Sequence, residues 1–451
     1  MFGYDIENTS QAYHSLETRY RRDNHAIKVD FRRLVTSPSK VERATHLLHT
    51  YPAKLLSHIP FFFLANNLLC EPGATVLDPF AGSGTVALES LLSGRHAVSA
   101  DSNPFARLLT SAKTTPIDRV RLSEASKRLV RRIPDSDSEF NADVVNLAHW
   151  FYPHVVRKLS QIRNAINCTQ DEKIKNFFWV CFSTTIRKVS LADPRLSVPV
   201  RLREGQYPHG HNLREKSDRI LRQLRRVDVH SVFQKVLAQN ITRLERISSI
   251  DSMLKSSQRS MDARSLLDVE GQKLPNNSID LVITSPPYPG AQKYIRACSL
   301  SLGWLGLCGT EALLTLKREA IGREEFRKSE LEMYQNTPVD SANKKLRVIA
   351  VRDPVRAAIA GAYINEMQQV LEEINRVLRP GGCMVMVIAN GTIAGEKFYT
   401  ERYLRVLGEF LGLEVRLRLI DEIRSRGLMT KRNKTANMIT REFVIVFEKP
   451  K

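Results

Sequence analysis

The stretch "ATVLDPFAGSGTVALESLLSG", residues 74–94, changes within a few positions from one structural pattern to another. It begins with a continuous apolar run, which is typical of a strand buried on both faces of a parallel sheet. It ends with helical spacing and a glycine that suits a helix stop. The glycine-rich turn between the two parts lets a ligand approach the backbone. The stretch therefore predicts a strand-turn-helix unit with a ligand site at the carboxyl end of the strand.

The same alternation of strands and helices occurs before and after a long interruption. "RHAVSADSNPFARLLTSAK", residues 95–113, predicts a second strand and then a second helix with a proline in its first turn. The alternation stops after Thr115 and resumes near residue 260. Seven strands, with helices between the first five, predict a doubly wound α/β sheet. The predicted strands are 74–80, one ending at Asp101, 260–267, 278–288, 383–390, 413–422 and 441–449.

The interruption divides the chain into parts. We predict an N-terminal extension, a first part of the sheet domain, a mainly helical insert and a second part of the sheet domain, which itself contains a smaller insert. Within the large insert, helical patterns cover 149–166 and 214–247. The predicted boundaries of these parts are 1–45, 46–115, 116–258 and 259–451, with the smaller insert at 289–354.

The large insert also carries much of the positive charge. The whole chain has a net charge of +20 and a pI near 9.8. Residues 116–260 contain 27 Lys and Arg against 15 Asp and Glu, a net charge of +12. A polyanionic partner such as nucleic acid is the simplest reason to hold so many like charges together. The alternative for any single helix is a solvated face around an apolar stripe.

Composition excludes several classes of protein. No apolar run approaches the roughly 20 residues that span a bilayer, and the N-terminus lacks the pattern of a secretory signal. The six cysteines are scattered without a C-x-x-C pair, so neither a zinc site nor a disulfide framework is indicated. The glycine-rich loop lacks the Lys-Ser/Thr ending of a phosphate-binding P-loop. We expect a cytoplasmic protein without membrane segments or a metal.

A second string, "TSPPY" at residues 284–288, makes the chemistry more specific. Its Ser285 hydroxyl and Pro286 carbonyl are two hydrogen-bond acceptors, and Pro286 and Pro287 restrict the backbone that presents them. Two acceptors can draw the N–H bonds of an exocyclic amine out of the ring plane and localise its lone pair. Tyr288 offers an aromatic face for an extruded base. The alternative for this string alone is a turn or a short polyproline segment.

The two strings together resemble the S-adenosylmethionine-dependent DNA amino-methyltransferases. "DPFAGSGT" is similar to the cofactor loop of that family, "HLLHTYPAKLLSHIP" to the segment that closes over the methionine end of the cofactor, and "TSPPY" to the catalytic loop. The resemblance implies a Rossmann-like class I methyltransferase sheet and S-adenosylmethionine as cofactor. It assigns cofactor binding to Tyr51, Pro52, Lys54, Asp78, Pro79, Phe80, Gly82, Ser83, Gly84, Thr85, Asp101 and Asp262, and catalysis to Ser285, Pro286, Pro287 and Tyr288.

The resemblance implies a specific contact with the cofactor for two of these residues. The resemblance places Asp101 on the ribose hydroxyls, and a carboxylate has the two acceptor oxygens that a vicinal diol requires. A helix N-cap is the alternative for Asp101. Asp262 opens the predicted strand 260–267, and the resemblance places it at the adenine amino group.

Serine at the first position of the catalytic loop resembles the cytosine-N4 branch of the family, whereas Asp or Asn is typical of adenine-N6 enzymes. The implied function is site-specific methylation of cytosine N4 in duplex DNA with base flipping. The alternatives are an adenine-N6 DNA methyltransferase, an RNA base amino-methyltransferase and a non-catalytic cofactor-binding protein. A restriction-modification system with a cognate endonuclease, in the cytoplasm of a prokaryote near its nucleoid, is the implied setting.

The order of the motifs resembles the α group of the family, whose target-recognition region lies between the cofactor loop and the catalytic loop. This order assigns recognition to the large insert, although the smaller insert competes for the role. "TTIRKVSLADPRLSVPVRLRE", residues 184–204, is dense in arginine between prolines. We expect Arg187, Arg195 and Arg201 to contact phosphate or guanine, and surface ion pairs are the alternative.

Overall fold

The computed structural model describes most of the chain as helices and strands. The residues described are 6–35, 44–52, 54–258, 261–267, 270–290, 294–323, 326, 331, 336–423 and 439–451. The strands in these ranges are β1 (Ile27–Val29), β2 (Thr75–Asp78), β3 (His96–Ser99), β4 (Ser256–Gln258), β5 (Ile279–Thr284), β6 (Leu378–Ile388), β7 (Gly391–Ile393), β8 (Glu396–Phe398), β9 (Glu414–Glu422) and β10 (Arg441–Glu448).

The helices cover the faces of this sheet and also build the two inserts. None of the described helices is long and apolar enough to cross a membrane. The helices are α1 (Ile6–Asp23), α2 (Phe31–Leu34), α3 (His58–Leu64), α4 (Thr85–Leu92), α5 (Pro104–Thr114), α6 (Arg119–Arg132), α7 (Leu147–Trp150), α8 (Pro153–Asn167), α9 (Glu172–Val189), α10 (Asn212–Leu224), α11 (Val229–Leu244), α12 (Tyr294–Leu305), α13 (Thr310–Glu319), α14 (Asp340–Arg352), α15 (Pro354–Val377) and α16 (Thr400–Phe410).

Eight of the strands form one sheet in the order β1-β9-β10-β6-β5-β2-β3-β4. All neighbours pair in parallel except β10, which is antiparallel to both β6 and β9. The strand order reverses at β2 and β5, where a doubly wound sheet leaves a crevice at its carboxyl edge. The sheet class predicted from the sequence is therefore confirmed, and β1 adds an eighth strand at one edge.

Successive strand residues point to opposite faces of the sheet, and both faces are covered. Val76 on β2 and Leu281 on β5 belong to a core with the aromatic helix α3. Leu77 and Val282, the next residue of each strand, belong to a second core with α15 and α16. Burial on both faces explains why these strands are continuous apolar runs in the sequence.

The third strand differs from its prediction. The sequence pattern predicts it over 260–267, but β4 lies at Ser256–Gln258 and pairs in parallel with β3. β4 is an edge strand whose three residues are only partly buried. A polar edge strand shows no apolar run, so the sequence pattern could not locate it.

Two helical patterns of the large insert are each divided into two helices. The pattern over 149–166 becomes α7 and α8, because Pro153 has no N–H to continue a helix and instead occupies the first turn of α8. The pattern over 214–247 becomes α10 and α11. Asp228 separates them, since its side chain caps α11 by accepting hydrogen bonds from the backbone N–H groups of His230 and Ser231.

The two inserts share one hydrophobic core. Trp304 on α12, in the smaller insert, is fully buried, and its ring lies 6.0, 5.8 and 6.1 Å from the rings of Phe140, Phe151 and Phe182 in the large insert. Residues of α6, α8, α9, α11 and α12 belong to this core. We call this unit of both inserts the helical body.

The two inserts approach each other closely at Gly303, so we expect an added side chain there to lower the stability of the protein. A Cβ added to Gly303 would lie 2.3 Å from the backbone oxygen of Asp143. We expect Gly303→Ala to lower the free energy of unfolding by about 1–3 kcal/mol through overpacking, against the usual helix preference for alanine. Gly391→Ala is the matched control, because a Cβ there meets nothing within 4 Å. Urea denaturation measures both, and equal stabilities would contradict the close packing.

Candidate active site

The two strings that define the sequence meet at the centre of the sheet. β2, which ends at Asp78, pairs in parallel with β5, which ends at Thr284. The Thr284 hydroxyl donates a hydrogen bond of 2.8 Å to Oδ1 of Asp78, and both residues are buried. The glycine-rich loop and the Ser-Pro-Pro-Tyr loop therefore leave the same edge of the sheet side by side.

The Asp78 carboxyl group has an unusual electrostatic environment. Burial raises its pKa to about 7, and the charge of Asp101 acts in the same direction. The hydrogen bonds from Thr284 and from the backbone N–H of Phe80 oppose this shift. Asp78 consequently changes its ionisation near neutral pH, at the point where the two loops start.

The glycines of the first loop are required for different reasons. Gly82 and Gly84 both have positive φ, at 51° and 70°, which side chains rarely adopt. A Cβ on Gly84 would also lie 2.8 Å from the Thr110 hydroxyl of α5, so this glycine allows α4 and α5 to pack closely. Ser83 and Thr85 share a hydrogen bond of 3.1 Å and are buried.

Asp101 lies at the carboxyl end of β3 and braces the glycine-rich loop. Its Oδ2 accepts a hydrogen bond of 2.8 Å from the backbone N–H of Gly82, and its Oδ1 accepts one of 2.8 Å from that of Asn103. The N-cap of α5 is Asn103 rather than Asp101. Each Asp101 oxygen has two lone pairs, so both can accept a further hydrogen bond. Burial raises the pKa of Asp101, while these backbone hydrogen bonds and the charge of Arg107 lower it.

Tyr51 connects the upstream segment to this loop. Its hydroxyl accepts a hydrogen bond of 3.1 Å from the Asn103 side chain, and its ring lies 3.6 Å from the position of a Cβ on Gly82. Pro52 and Lys54 are partly buried beside it, and Lys54 donates a hydrogen bond of 3.4 Å to the His46 carbonyl. Tyr51, Gly82 and Asp101 are therefore brought together from three distant parts of the sequence.

The Ser-Pro-Pro-Tyr loop is irregular and continues directly from β5. Ser285 and Pro287 are partly exposed, whereas Pro286 is buried and Tyr288 is only 8% exposed. The Tyr288 hydroxyl donates a hydrogen bond of 3.1 Å to Oε1 of Glu442 on β10. Burial raises the pKa of Glu442, this hydrogen bond lowers it, and the charges of Asp421 and Arg32 act in opposite directions. The aromatic ring is thus fixed within the fold and largely covered.

Asp262 lies beyond the end of β4 and does not open a strand. Its carboxylate forms hydrogen bonds of 2.8–3.0 Å with the guanidinium of Arg264, and it accepts another from the Arg264 backbone. Any contact with an adenine ring would have to share this carboxylate with Arg264. Its assignment to the cofactor stays a prediction.

The three arginines predicted to contact DNA have different surroundings. Arg187 donates to the backbone carbonyls of Asp193 and Leu196, and Arg195 forms a two-point ion pair with the Asp193 carboxylate at 2.7 and 2.8 Å. These two side chains stabilise the loop after α9. Among the described residues, Arg201 alone of the three has neither an ion pair nor a side-chain hydrogen bond, so its guanidinium is available to contact a phosphate.

Sequence reasoning did not assign three residues that organise this edge. The motif contains Thr284 but does not indicate a role for it, and the sequence around Asn103 indicates only the start of a helix. Glu442 lies more than 150 positions from Tyr288, and a single Glu in a strand pattern gives no signal. The position of Thr284, directly before Ser-Pro-Pro-Tyr, was the one available signal.

The chain has close counterparts among known methyltransferases. It is 25% identical over 374 residues to the type II methyltransferase M.MvaI of Kocuria varians, with 79% of each chain covered. It is 20% identical over 434 residues to the type II methyltransferase M.BsoBI of Geobacillus stearothermophilus, with 86% of this chain and 83% of that protein covered. These similarities to type II methyltransferases are consistent with the DNA amino-methyltransferase family that the two strings resemble.

Two further comparisons add little to this assignment. No protein-family profile matches the methyltransferase. A solved S-adenosylmethionine-dependent methyltransferase from Methanosarcina mazei covers 85% of this chain and 95% of its own, with 10% identity and a TM-score of 0.28. The fold assignment therefore depends on the strand order of the methyltransferase itself.

S-adenosylmethionine, the cofactor of the family, fits the acidic edge formed by Asp78 and Asp101. Neither carboxylate is in an ion pair with any cation of the described ranges. Burial raises the pKa of both groups, so a ligand that carries a sulfonium charge would stabilise their ionised forms. Asp101 also retains acceptor capacity for two hydroxyl groups. In the described part of the chain, no group of three or more His, Cys, Asp or Glu side chains is arranged to hold a metal ion.

The hydrogen bond between Thr284 and Asp78 predicts a stability effect that depends on pH. Thr284→Val keeps the shape of the side chain but removes the donor to a buried carboxylate. We expect a loss of about 1–3 kcal/mol in the free energy of unfolding. The loss should be larger at pH 8 than at pH 5, because the donor stabilises the ionised carboxylate and the pKa of Asp78 is about 7. Thr284→Ser is the control that retains the hydroxyl, and a pH-independent loss in urea unfolding would contradict this account.

Proposed function

We propose that the methyltransferase transfers a methyl group from S-adenosylmethionine to the exocyclic N4 amino group of cytosine, within a specific site of duplex DNA. One observation carries the proposal. The hydrogen bond of 2.8 Å between the Thr284 hydroxyl and the Asp78 carboxylate holds the glycine-rich loop and the Ser-Pro-Pro-Tyr loop side by side. The names of the relatives support methylation of DNA. The resemblance of "TSPPY" to the cytosine-N4 branch supports the choice of base.

The residues of the Ser-Pro-Pro-Tyr loop suit the orientation of an exocyclic amine by hydrogen bonds, without a strong base to deprotonate it. Bound S-adenosylmethionine supplies an electrophilic methyl group, and the amine nitrogen must direct its lone pair at that group. The Ser285 hydroxyl and the Pro286 carbonyl would accept hydrogen bonds from the two N–H groups of the amine and orient the nitrogen. As the new N–C bond forms and the S–C bond breaks, the nitrogen acquires a positive charge and then releases one proton to solvent.

Tyr288 would contact the ring of the extruded base. Stacking on an aromatic face replaces part of the stacking lost when a base leaves the duplex. Only a small part of the Tyr288 ring is exposed in the structure, so we propose that the base contacts its exposed edge or that the loop shifts on binding. A cognate endonuclease and association with the nucleoid stay predictions from the family resemblance.

Identification of the modified nucleoside tests the proposed reaction. The methyltransferase is incubated with methyl-labelled S-adenosylmethionine and either duplex DNA or RNA, and the product is digested to nucleosides. We expect the label in N4-methyldeoxycytidine. Label in N6-methyladenine would contradict the choice of base, label in RNA alone would contradict the substrate, and no label in either would favour a protein that binds the cofactor without catalysis.

Substitutions in the catalytic loop should separate turnover from cofactor binding. We expect Ser285→Ala to lower kcat by about 10²-fold, because it removes one acceptor for the amine. Tyr288→Ala should lower kcat/KM by about 10- to 100-fold through lost stacking, whereas Tyr288→Phe keeps the ring and should lose less. Cofactor affinity, measured by calorimetry, should change little in all three.

Ser278→Ala is the matched control for Ser285→Ala, because Ser278 is an exposed serine just before the start of β5. It should retain the activity of the unsubstituted protein. Full activity in Ser285→Ala would show that the acceptor role is wrong.

A further inference from the structure

A cleft lies between the two inserts on the surface of the helical body. Its volume is about 280 Å³. One wall is the segment 143–150 of the large insert, and the other is formed by α12 and α13 of the smaller insert. The cleft is therefore separate from the cofactor residues and is made by both of the segments that compete for target recognition.

The cleft is lined by cations that have no acidic partner among the described residues. Arg296 on α12 and Lys317 on α13 both face it, and neither forms an ion pair with a carboxylate in the described part of the chain. His149 lies on the opposite wall. Burial and the charges of Arg201 and Arg203 lower the pKa of His149. Neither Arg201 nor Arg203 pairs with any described carboxylate.

The one acidic side chain of the cleft is already engaged. Asp143 accepts hydrogen bonds from the backbone N–H of Thr310, at 3.0 Å, and from the Thr310 hydroxyl. Both hydrogen bonds lower the pKa of Asp143. Asp143 therefore ties the wall of the large insert to the start of α13, and its negative charge offsets one of the positive charges around the cleft. Polar Asn146 and aromatic Trp150 complete the lining with groups that suit a nucleotide.

The helix that supplies Arg296 also reaches the active site. Cys298, two residues further along α12, is buried and lies beside the Asn103 side chain that binds Tyr51. α12 thus has one face toward the cofactor residues and another toward the cleft.

We propose that the cleft between segment 143–150 and α12–α13 binds backbone phosphates of the substrate DNA, with Arg296 and Lys317 as the phosphate ligands. The inference rests on the proposed function, because it takes duplex DNA as the substrate. It assigns target binding to a surface that both inserts build together, and it identifies cations that the sequence analysis did not select.

The salt dependence of DNA binding tests the proposal. The Arg296→Ala/Lys317→Ala double variant is compared with the unsubstituted protein by fluorescence anisotropy on a labelled duplex between 50 and 200 mM salt. Each lost phosphate contact lowers the slope of log K against log salt by about one, so we expect the double variant to lose about two. The KM for DNA should rise at nearly unchanged kcat, and cofactor affinity should not change.

The matched control removes two exposed cations elsewhere. Lys397 and Arg402 lie on β8 and α16, outside the helical body, and form no ion pair with a described carboxylate. Lys397→Ala/Arg402→Ala should leave the slope unchanged. Equal losses in the two double variants would mean a general charge effect and would overturn the proposal, as would an unchanged slope for Arg296→Ala/Lys317→Ala. If the unsubstituted protein neither binds nor methylates duplex DNA, the proposed function itself fails.

Discussion

The hydrogen bond from the Thr284 hydroxyl to the buried Asp78 carboxylate links the two halves of the active site. It joins residues 206 positions apart and lies where β2 and β5 end beside each other. Parallel strands present all their carboxyl ends at one edge, so any two neighbouring strands bring their following loops together. Here those loops are the glycine-rich turn and Ser-Pro-Pro-Tyr. The remaining parts of the structure support this edge or extend it toward a substrate.

The edge is acidic, and the acidic groups are arranged for different tasks. Asp101 braces the glycine-rich loop through the backbone N–H of Gly82, while Glu442 holds the hydroxyl of Tyr288. Asp78 lies between them with a pKa of about 7. Burial alone would make these carboxylates costly, and hydrogen bonds reduce that cost in each case. A cationic cofactor would reduce it further, so the structure suits a ligand that carries a sulfonium charge.

The two inserts contribute a second constraint, because neither buries its apolar residues alone. Trp304 of the smaller insert fills a space among Phe140, Phe151 and Phe182 of the large insert. The question of which insert recognises the substrate therefore changes. The helical body is one unit, and both inserts form the walls of its cleft, where Arg296 and Lys317 come from the smaller insert. Arg187 and Arg195, which the sequence favoured equally with Arg201, stabilise a loop, and their contact with DNA stays a prediction.

The sequence by itself determined the doubly wound sheet, the positions of both loops and the family resemblance, because buried parallel strands and glycine-rich turns leave contiguous patterns. It could not locate β4, a polar edge strand, or the break at Asp228, which depends on one capping side chain. It also could not show that Glu442 binds Tyr288 or that Arg296 and Lys317 line one cleft. Only the tertiary structure decided these points, because contacts between residues far apart in the chain depend on how the helices and strands pack.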